Sequence, residues 1–262
     1  MNGASATWLY VVASGKGPDL PAGLRGVAGE PVRVVEDARL SAVVGSVPLS
    51  EFGEQELRAH LEDLGWLEAA VRAHHRVIDT AARGGRVVPL RFATVYRDDA
   101  RIRSLLEERR ADFDSVLALL AGRTEWGVKA YADPQAFVTD SPGDRTSDQD
   151  SPGTAYLLRR RAQQRGRETA HLRAAEYAEA IHTALAELAA RTAEHPPQDA
   201  RLAEYEGSML LNNSYLVPDS RAQEFAAAVA SLEQRFPQIR LQLSGPWPAY
   251  SFTGSGDSGQ KG

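Results

Sequence analysis

The chain has 262 residues, of which 43% are hydrophobic and 25% charged, and its formal net charge is −5. These are values of a globular protein large enough for one sizeable domain or two ordinary ones, and the acidic balance argues against a dominant nucleic-acid role. Because the chain contains no cysteine, disulfides, thiolate zinc sites, cysteine-ligated iron–sulfur clusters and a cysteine nucleophile are excluded.

The N-terminus has no basic segment leading into a long apolar run, so no secretory signal is predicted. No stretch approaches the roughly 18 uninterrupted apolar residues of a membrane helix. We therefore expect a cytoplasmic protein without a membrane span.

The first part of the chain alternates strand and helix patterns. An apolar run at 7–13 predicts a strand, and the runs 32–35 and 40–47 around a short turn predict a hairpin. Ser50, followed by acidic residues, predicts a helix start. Three leucines at helical spacing then predict the apolar stripe of that helix: Leu57, Leu61 and Leu64.

A second helical run carries Leu67, Val71, His74 and Ile78, and it is predicted to end at Gly84-Gly85. The chain then returns to an extended form up to Tyr96. Apolar residues from Ile102 to Leu120 predict one further amphipathic helix, which ends near Gly122.

The second part of the chain shows the order strand, helix, strand, strand, helix, strand. Alternation at 126–131 predicts the first strand, and an Ala/Arg/Glu-rich helix should follow over 155–192. A weak strand is predicted at 201–206 and a stronger one at 208–217. A helix with Phe225, Val229, Leu232 and Phe236 and a final strand at 239–243 complete a βαββαβ order, which is the split ferredoxin-like plan.

Domain boundaries follow from composition. The segment 139–153 has no apolar side chain apart from its prolines, which predicts a mobile loop and not a boundary. We place the boundary near Gly122, because the strand that follows is needed by the second domain. The predicted fold is α+β: an N-terminal α/β domain over 1–122, a ferredoxin-like domain over 123–252, and a disordered tail over 253–262.

The last ordered segment combines prolines and aromatics, and we call it the C-terminal clasp. Proline removes an amide donor, so the two prolines should end sheet pairing. The aromatic side chains carry large apolar surfaces that need a docking place, which predicts a structural and not a catalytic role. The clasp residues are Pro246, Trp247, Pro248, Tyr250 and Phe252.

The clasp resembles the closing motif of the gas vesicle protein F/L family, and the resemblance extends over nearly the whole chain. Four further segments are similar to family signatures and stand in family order: PLRFATVY at 89–96, EWGVK at 125–129, YLLRRR at 156–161 and LNNSYLV at 211–217. One departure is Ala93, where the family pattern leads us to expect glycine. The backbone at Ala93 should therefore lack a conformation open only to glycine.

The resemblance strengthens the ferredoxin-like assignment and implies a function. It implies an accessory protein for gas vesicle formation that binds the small hydrophobic wall subunit, other gas vesicle proteins, or both. It implies no enzymatic activity and no cofactor, association with the vesicle, and a chain that is monomeric when isolated.

The alternative function is a hydrolase with an unrecognised Ser/His/Asp site. The string GDSG at 256–259 surrounds the nucleophile of trypsin-like proteases, but here it lies in the predicted tail, without a scaffold. A metal site is not predicted, since the adjacent His74 and His75 would point about 100° apart on a helix. We expect one of the two histidines to be packed and the other solvated.

The main basic run is Arg159, Arg160 and Arg161. Because arginine favours interfaces and makes bidentate contacts with carboxylates, these residues are the candidate partner-binding patch. A solvated helical face and a nucleic-acid site are the other interpretations, although no aromatic-rich strand of an RNA-binding module accompanies the run.

Overall fold

The structure is a computed structural model that describes residues 4–132, 152–197 and 207–254. Most of the predicted loop 139–153 and of the predicted tail lies outside these ranges. The chain divides into two compact units, Met1–Thr124 with Trp247–Gly262, and Glu125–Pro246. The clasp residues from Trp247 onward, which we had assigned to the second domain, thus group with the first unit. No helix among the described residues is long and apolar enough to cross a membrane.

The first unit combines one sheet, whose strands differ in length, with helices. Its strands are β1 Ser5–Ser14, β2 Val32–Asp37, β3 Leu40–Pro48, β4 Val87–Pro89 and β5 Val95–Tyr96. Its helices are α1 Leu49–Phe52, α2 Glu54–Glu62, α3 Leu64–Gly84, α4 Asp99–Glu108 and α5 Arg110–Leu120. Helix α3 ends at Gly84, as we predicted from the pair Gly84-Gly85.

The five-stranded sheet has the order β2-β3-β1-β4, and β5 also pairs with β1. Strand β1 is buried along almost its whole length because helices cover both of its faces. One face carries Trp8 and Tyr10 against α3, and the other carries Leu9 and Val12 against α4 and α5. A continuous apolar run, rather than an alternating one, is typical of a strand covered on both sides.

The predicted hairpin is confirmed. Strands β2 and β3 pair antiparallel, with Val32 opposite Gly45 and Asp37 opposite Leu40. The two residues of the turn are Ala38 and Arg39, and Ala38 has a φ of 37°.

Helices α1 and α2 differ from the prediction in two ways. Ser50 lies inside α1 and does not cap it, and α2 begins at Glu54 after Gly53, with no side-chain cap. None of the residues of α2 is buried. Leu61 and Leu64, predicted as part of a core stripe, are exposed, and Leu64 is 80% accessible. Helical spacing correctly indicated a helix here, but it could not tell whether the stripe meets the core.

The helix predicted over 102–120 is two helices. The backbone leaves the helical region at Arg109, where φ is −109° and ψ is 22°, and α5 starts at the next residue. Buried apolar residues stand at helical spacing on both sides of the break, in Ile102, Leu105, Leu106, Phe113, Leu117 and Leu120. Because the stripe continues across the break, periodicity does not reveal it.

The expectation for Ala93 was wrong. Its φ is +64°, in the left-handed region that favours glycine. The residue lies in the turn between β4 and β5, and it packs at the margin of the core formed by Trp8 and α3. The turn therefore keeps a glycine conformation although an alanine occupies it.

The second unit contains β6 Arg123–Ala132, α6 Pro152–Ala186, β7 Arg191–Glu194, β8 Ser208–Pro218, α7 Ala222–Arg235 and β9 Ile239–Trp247. The four strands form a sheet of order β7-β8-β6-β9. Strands β7 and β8 pair antiparallel, with Arg191 opposite Leu216. The core consists of one face of this sheet with α6 and α7, and it includes Val128, Tyr215, Ile181, Phe225 and Ile239.

Two boundaries in this unit correct the prediction. The long helix ends at Ala186, and Arg191 and Thr192, predicted as its end, lie in β7 instead. The strand predicted at 201–206 lies outside the described residues. Strand β9 continues through Pro246 to Trp247, so this proline does not end the strand as expected.

Candidate functional site

A pocket on the second unit brings histidines and carboxylates together. It has a volume of about 280 Å³ and is lined by α6, the end of β7 with the residues after it, and β8. Its polar lining residues are Glu179, His182, Glu194, His195, Asn212 and Asn213. No sequence pattern indicated this grouping, because the residues come from three segments that only the tertiary structure brings together.

His182 is held by two neighbours on β8. Its Nδ1 lies 3.0 Å from the hydroxyl of Tyr215 and 3.1 Å from Nδ2 of Asn213. Burial raises the pKa of Tyr215 above its usual range, so the hydroxyl keeps its proton and can donate it to the ring. The amide nitrogen of Asn213 is also a donor. Nδ1 of His182 therefore acts as an acceptor, which fixes the proton of the neutral ring on Nε2.

A second polar cluster joins three segments of the same unit. The hydroxyl of Ser214 donates to Oε1 of Glu125 at 2.6 Å, and Nε2 of His195 lies 2.9 Å from the same hydroxyl oxygen. Because the serine proton is directed to the carboxylate, the histidine must be the donor of the second bond. Ser214 and Glu125 are both buried.

This order differs from that of a hydrolase triad. In a triad the histidine stands between serine and acid and takes the proton of the serine. Here Ser214 stands between His195 and Glu125, and its oxygen faces protein rather than an open cleft. The cluster links β6, β8 and the residue after β7. The string GDSG at 256–259 lies outside the described residues.

The described part of the chain contains no group of three or more His, Cys, Asp or Glu side chains placed to hold a metal ion. Of the adjacent histidines, expected as one packed and one solvated, the structure bears out only the packed one. His74 is buried, whereas His75 is half-buried and packs against Tyr250.

His74 occupies the centre of an aromatic cluster in the first unit. Its Nδ1 accepts a hydrogen bond from Nε1 of Trp8 at 3.1 Å, and its Nε2 lies 3.2 Å from the carbonyl of Leu90. The ring must therefore be neutral with its proton on Nε2, which donates to the carbonyl. Burial lowers the pKa of His74 to about 4. Such a residue stabilises the fold and has no access to a substrate.

The clasp residues lie in different environments. Phe252 is buried and Tyr250 is half-buried, with its hydroxyl 3.1 Å from Nδ1 of His75 on α3. Pro248 is half-buried and Pro246 exposed. Trp247, which we expected to dock, is 48% exposed.

The predicted arginine patch lies on α6. Arg160 and Arg161 are exposed, and the side chain of Arg159 is outside the described residues. Neither Arg160 nor Arg161 lines the pocket of the second unit.

An apolar groove on the first unit was not predicted. It has a volume of about 430 Å³, and its lining comes from the start of β1, from α1 and α2, and from β5 with the residue after it. Apolar side chains dominate, among them Leu49, Phe52, Leu57 and Val95, with Glu54 and Arg97 as the charged members. The available signal was a run of leucines among many carboxylates, which is unusual for a helix that faces a core.

Comparison of the sequence with known proteins identifies related proteins. A sequence model of the family described as gas vesicle synthesis protein GvpL/GvpF matches residues 6–254. Gas vesicle protein L of Streptomyces sp. (strain CB03234) is 40% identical over 247 residues, which cover 94% of this chain and 92% of that protein. Gas vesicle protein F of the same strain is 30% identical over 256 residues, covering 94% of this chain and 99% of that protein.

The fold is also that of a solved relative. The crystal structure of gas vesicle protein GvpF from Anabaena sp. PCC7120 superposes with a TM-score of 0.68, at 19% sequence identity, and covers 98% of this chain and 100% of that one. The resemblance read from the five sequence segments is thereby confirmed. The chain belongs to the GvpL/GvpF family of gas vesicle proteins, which implies a role in gas vesicle formation.

Proposed function

We propose that this protein is a non-enzymatic accessory factor that binds the small hydrophobic wall subunit of the gas vesicle, other gas vesicle proteins, or both, during assembly. The observation that carries the proposal is the family match over residues 6–254. The order of the Ser214 cluster supports it, because that cluster does not have the arrangement of a hydrolase triad.

The physical reason for such a factor lies in the wall subunit. A small, very apolar protein that pairs through strand edges aggregates unless its surface is shielded before incorporation. A binding factor shields one subunit per molecule, whereas an enzyme acts many times. The proposed factor works in the cytoplasm, associates with the vesicle, and is monomeric when isolated.

We infer in addition that the second unit is a ferredoxin-like domain. Its elements follow the order strand, helix, strand, strand, helix, strand, and the sheet order β7-β8-β6-β9 supports that topology. Such a domain presents α6 on its surface, where Arg160 and Arg161 are exposed. The patch Arg159, Arg160 and Arg161 remains our proposal for a contact with an acidic region of a partner.

Titration of the two proteins against each other tests the binding role. The wall subunit is produced alone and with increasing amounts of this protein, and the fraction that stays in the supernatant after centrifugation is measured. We expect solubility to rise in proportion to the amount of this protein and to level off near a fixed ratio. Protection at trace ratios, or no protection and no capture of any co-expressed gas vesicle protein, would contradict the proposal.

A charge reversal tests the arginine patch. The triple variant Arg159→Glu, Arg160→Glu and Arg161→Glu should weaken capture while its circular dichroism spectrum stays unchanged. The matched control reverses three exposed arginines of the first unit, Arg83, Arg86 and Arg103. Equal capture by both triple variants and the unmodified protein would remove the patch from the interface.

A further inference from the structure

We propose that the groove of the first unit, together with the exposed leucines beside it, is a docking surface for an amphipathic helix of a partner whose polar face is basic. The inference deepens the proposed function and rests on it for the identity of the partner. Three features carry it: an apolar groove, leucines that the fold does not bury, and a local excess of negative charge.

The base and wall of the groove, where side chains of a partner would insert, are apolar. Phe52 lies buried at its base, while Leu49 and Leu57 form part of its wall and remain at least partly accessible. A volume of about 430 Å³ accommodates several apolar side chains of a helix but is small for a folded domain. A docked segment would remove these surfaces from water.

The leucines continue from the groove along α2. Leu61 is one helical turn after Leu57, so the two share a face, and Leu64 follows at the start of α3. His60 stacks on Trp66 with ring centroids 4.8 Å apart, so α2 contacts α3 through a different side from that of Leu61. A row of side chains at this spacing offers ridges between which a second helix can pack.

The charge around the leucines selects the partner. Residues 49–68 contain six carboxylates and one arginine, a net charge of −5, which equals that of the whole chain. The arginine, Arg58, pairs with Glu54. The remaining carboxylates include Glu51, Glu56 and Glu62, which are all exposed. An apolar face with an acidic rim complements an apolar face with a basic rim and repels anionic lipid surfaces.

The test uses the full chain and two labelled synthetic peptides. Both form amphipathic helices with the same leucine face, and their polar faces carry either lysine or glutamate. Fluorescence anisotropy should show that the lysine peptide binds about tenfold more tightly or better, and that added salt reduces this preference. Resonances of the ¹⁵N-labelled protein that shift on binding should cluster at 49–68 and in β5. Equal binding of both peptides, or shifts located elsewhere, would overturn the proposal.

Two variants with matched controls separate the apolar and ionic parts. Leu61→Gln with Leu64→Gln should weaken peptide binding about tenfold or more, whereas Leu172→Gln, at an exposed leucine of α6, should leave it unchanged. Neutralising Glu51, Glu56 and Glu62 to glutamine should reduce the preference for lysine, because it removes three of the six carboxylates. The control neutralises three exposed glutamates of the second unit, Glu168, Glu176 and Glu187. Equal effects of variants and controls would contradict the assignment.

A parallel capture experiment distinguishes this surface from the proposed function. If the Leu61 and Leu64 variant no longer captures the gas vesicle proteins that the unmodified chain captures, the surface is supported. If it captures them equally, the surface is wrong while the proposed function stands. If the unmodified chain captures none of them and still binds the lysine peptide at 49–68, the proposed function fails and the surface stands. Self-association through this face, or binding to neutral lipid vesicles in place of the peptide, would overturn the proposed occupant.

Discussion

His74 makes the stability of the first unit depend on pH in a way that can be calculated. The side chain is 1% exposed, and both ring nitrogens are engaged, Nδ1 by Trp8 and Nε2 by the carbonyl of Leu90. Protonation would place a second N–H against the N–H of Trp8, in addition to charging a buried ring. Burial accordingly lowers the pKa of His74 from its ordinary value of 6.5 to about 4.

The sign follows from proton binding in the two states. Between pH 6.5 and about 4 the unfolded chain binds a proton at this residue that the folded chain does not bind. The stabilising contribution is therefore complete above pH 6.5 and is lost progressively as the pH falls to about 4. From these two pKa values we expect a loss of about 2 kcal/mol at pH 5 and about 3 kcal/mol when the pH passes below 4.

Urea unfolding at about pH 7.5 and about pH 5, followed by tryptophan fluorescence, measures this loss. Other groups titrate in the same range, so the informative quantity is the difference between the unmodified chain and His74→Gln. The variant should start less stable at neutral pH, because its bond with Trp8 is altered, and should lose less stability on acidification. The neighbouring His75→Gln is the comparison, and its pH dependence should differ less from that of the unmodified chain than that of His74→Gln does. Equal pH dependence in all three proteins, or a C2–H resonance of His74 that titrates near pH 6.5, would refute the reasoning.

Four further substitutions test other parts of the fold. Ala93→Gly should raise the free energy of unfolding by up to about 1 kcal/mol. The left-handed backbone costs alanine roughly 1–2 kcal/mol, and the added freedom of glycine in the unfolded chain offsets only part of that cost. A destabilised variant in thermal unfolding would contradict the assigned turn. Phe252→Ala should lower the free energy of unfolding by about 3 kcal/mol, whereas Trp247→Ala, at a half-exposed position, should cost less than about 1 kcal/mol; equal losses would show that the clasp packs differently. Ser214→Ala should cost about 1–3 kcal/mol, because a buried hydrogen bond to Glu125 is removed, and an unchanged melting temperature would exclude a structural role for that bond.

The parts of the fold that the sequence predicted are those where periodicity and burial agree. The β2–β3 hairpin, the end of α3 at the glycine pair and the apolar stripe of α7 all place their periodic residues in a core. Strand β7 was missed because Arg191–Glu194 has no apolar alternation and is a strand only through its pairing with β8. Its first two residues continue the composition of the helix before it, so local pattern assigned them to the helix and left the other two without a strand assignment.

The candidate sites were harder to predict than the fold, for a related reason. His182 and Asn213 are 31 residues apart and meet only because α6 lies against β8. Leu61 and Leu64 have the spacing of core residues, and the neighbouring carboxylates were the only indication of a different role. Periodicity reports that a helix has an apolar face, and the tertiary structure decides whether that face meets the core or a partner.

The distribution of polar and apolar groups is consistent with the binding role that we propose. A general base must be able to accept a proton from a substrate, yet Nδ1 of His74 accepts from Trp8, Nδ1 of His182 accepts from β8, and the proton of Ser214 is directed to Glu125. These groups are committed to contacts within the protein. The exposed leucines at 49–64, by contrast, are not fully used within the protein. A water-exposed apolar surface brings a risk of aggregation and adds nothing to folding stability. The carboxylates around them keep such a surface soluble, and they leave it attractive to a basic, apolar segment, which is the kind of contact that an assembly factor requires.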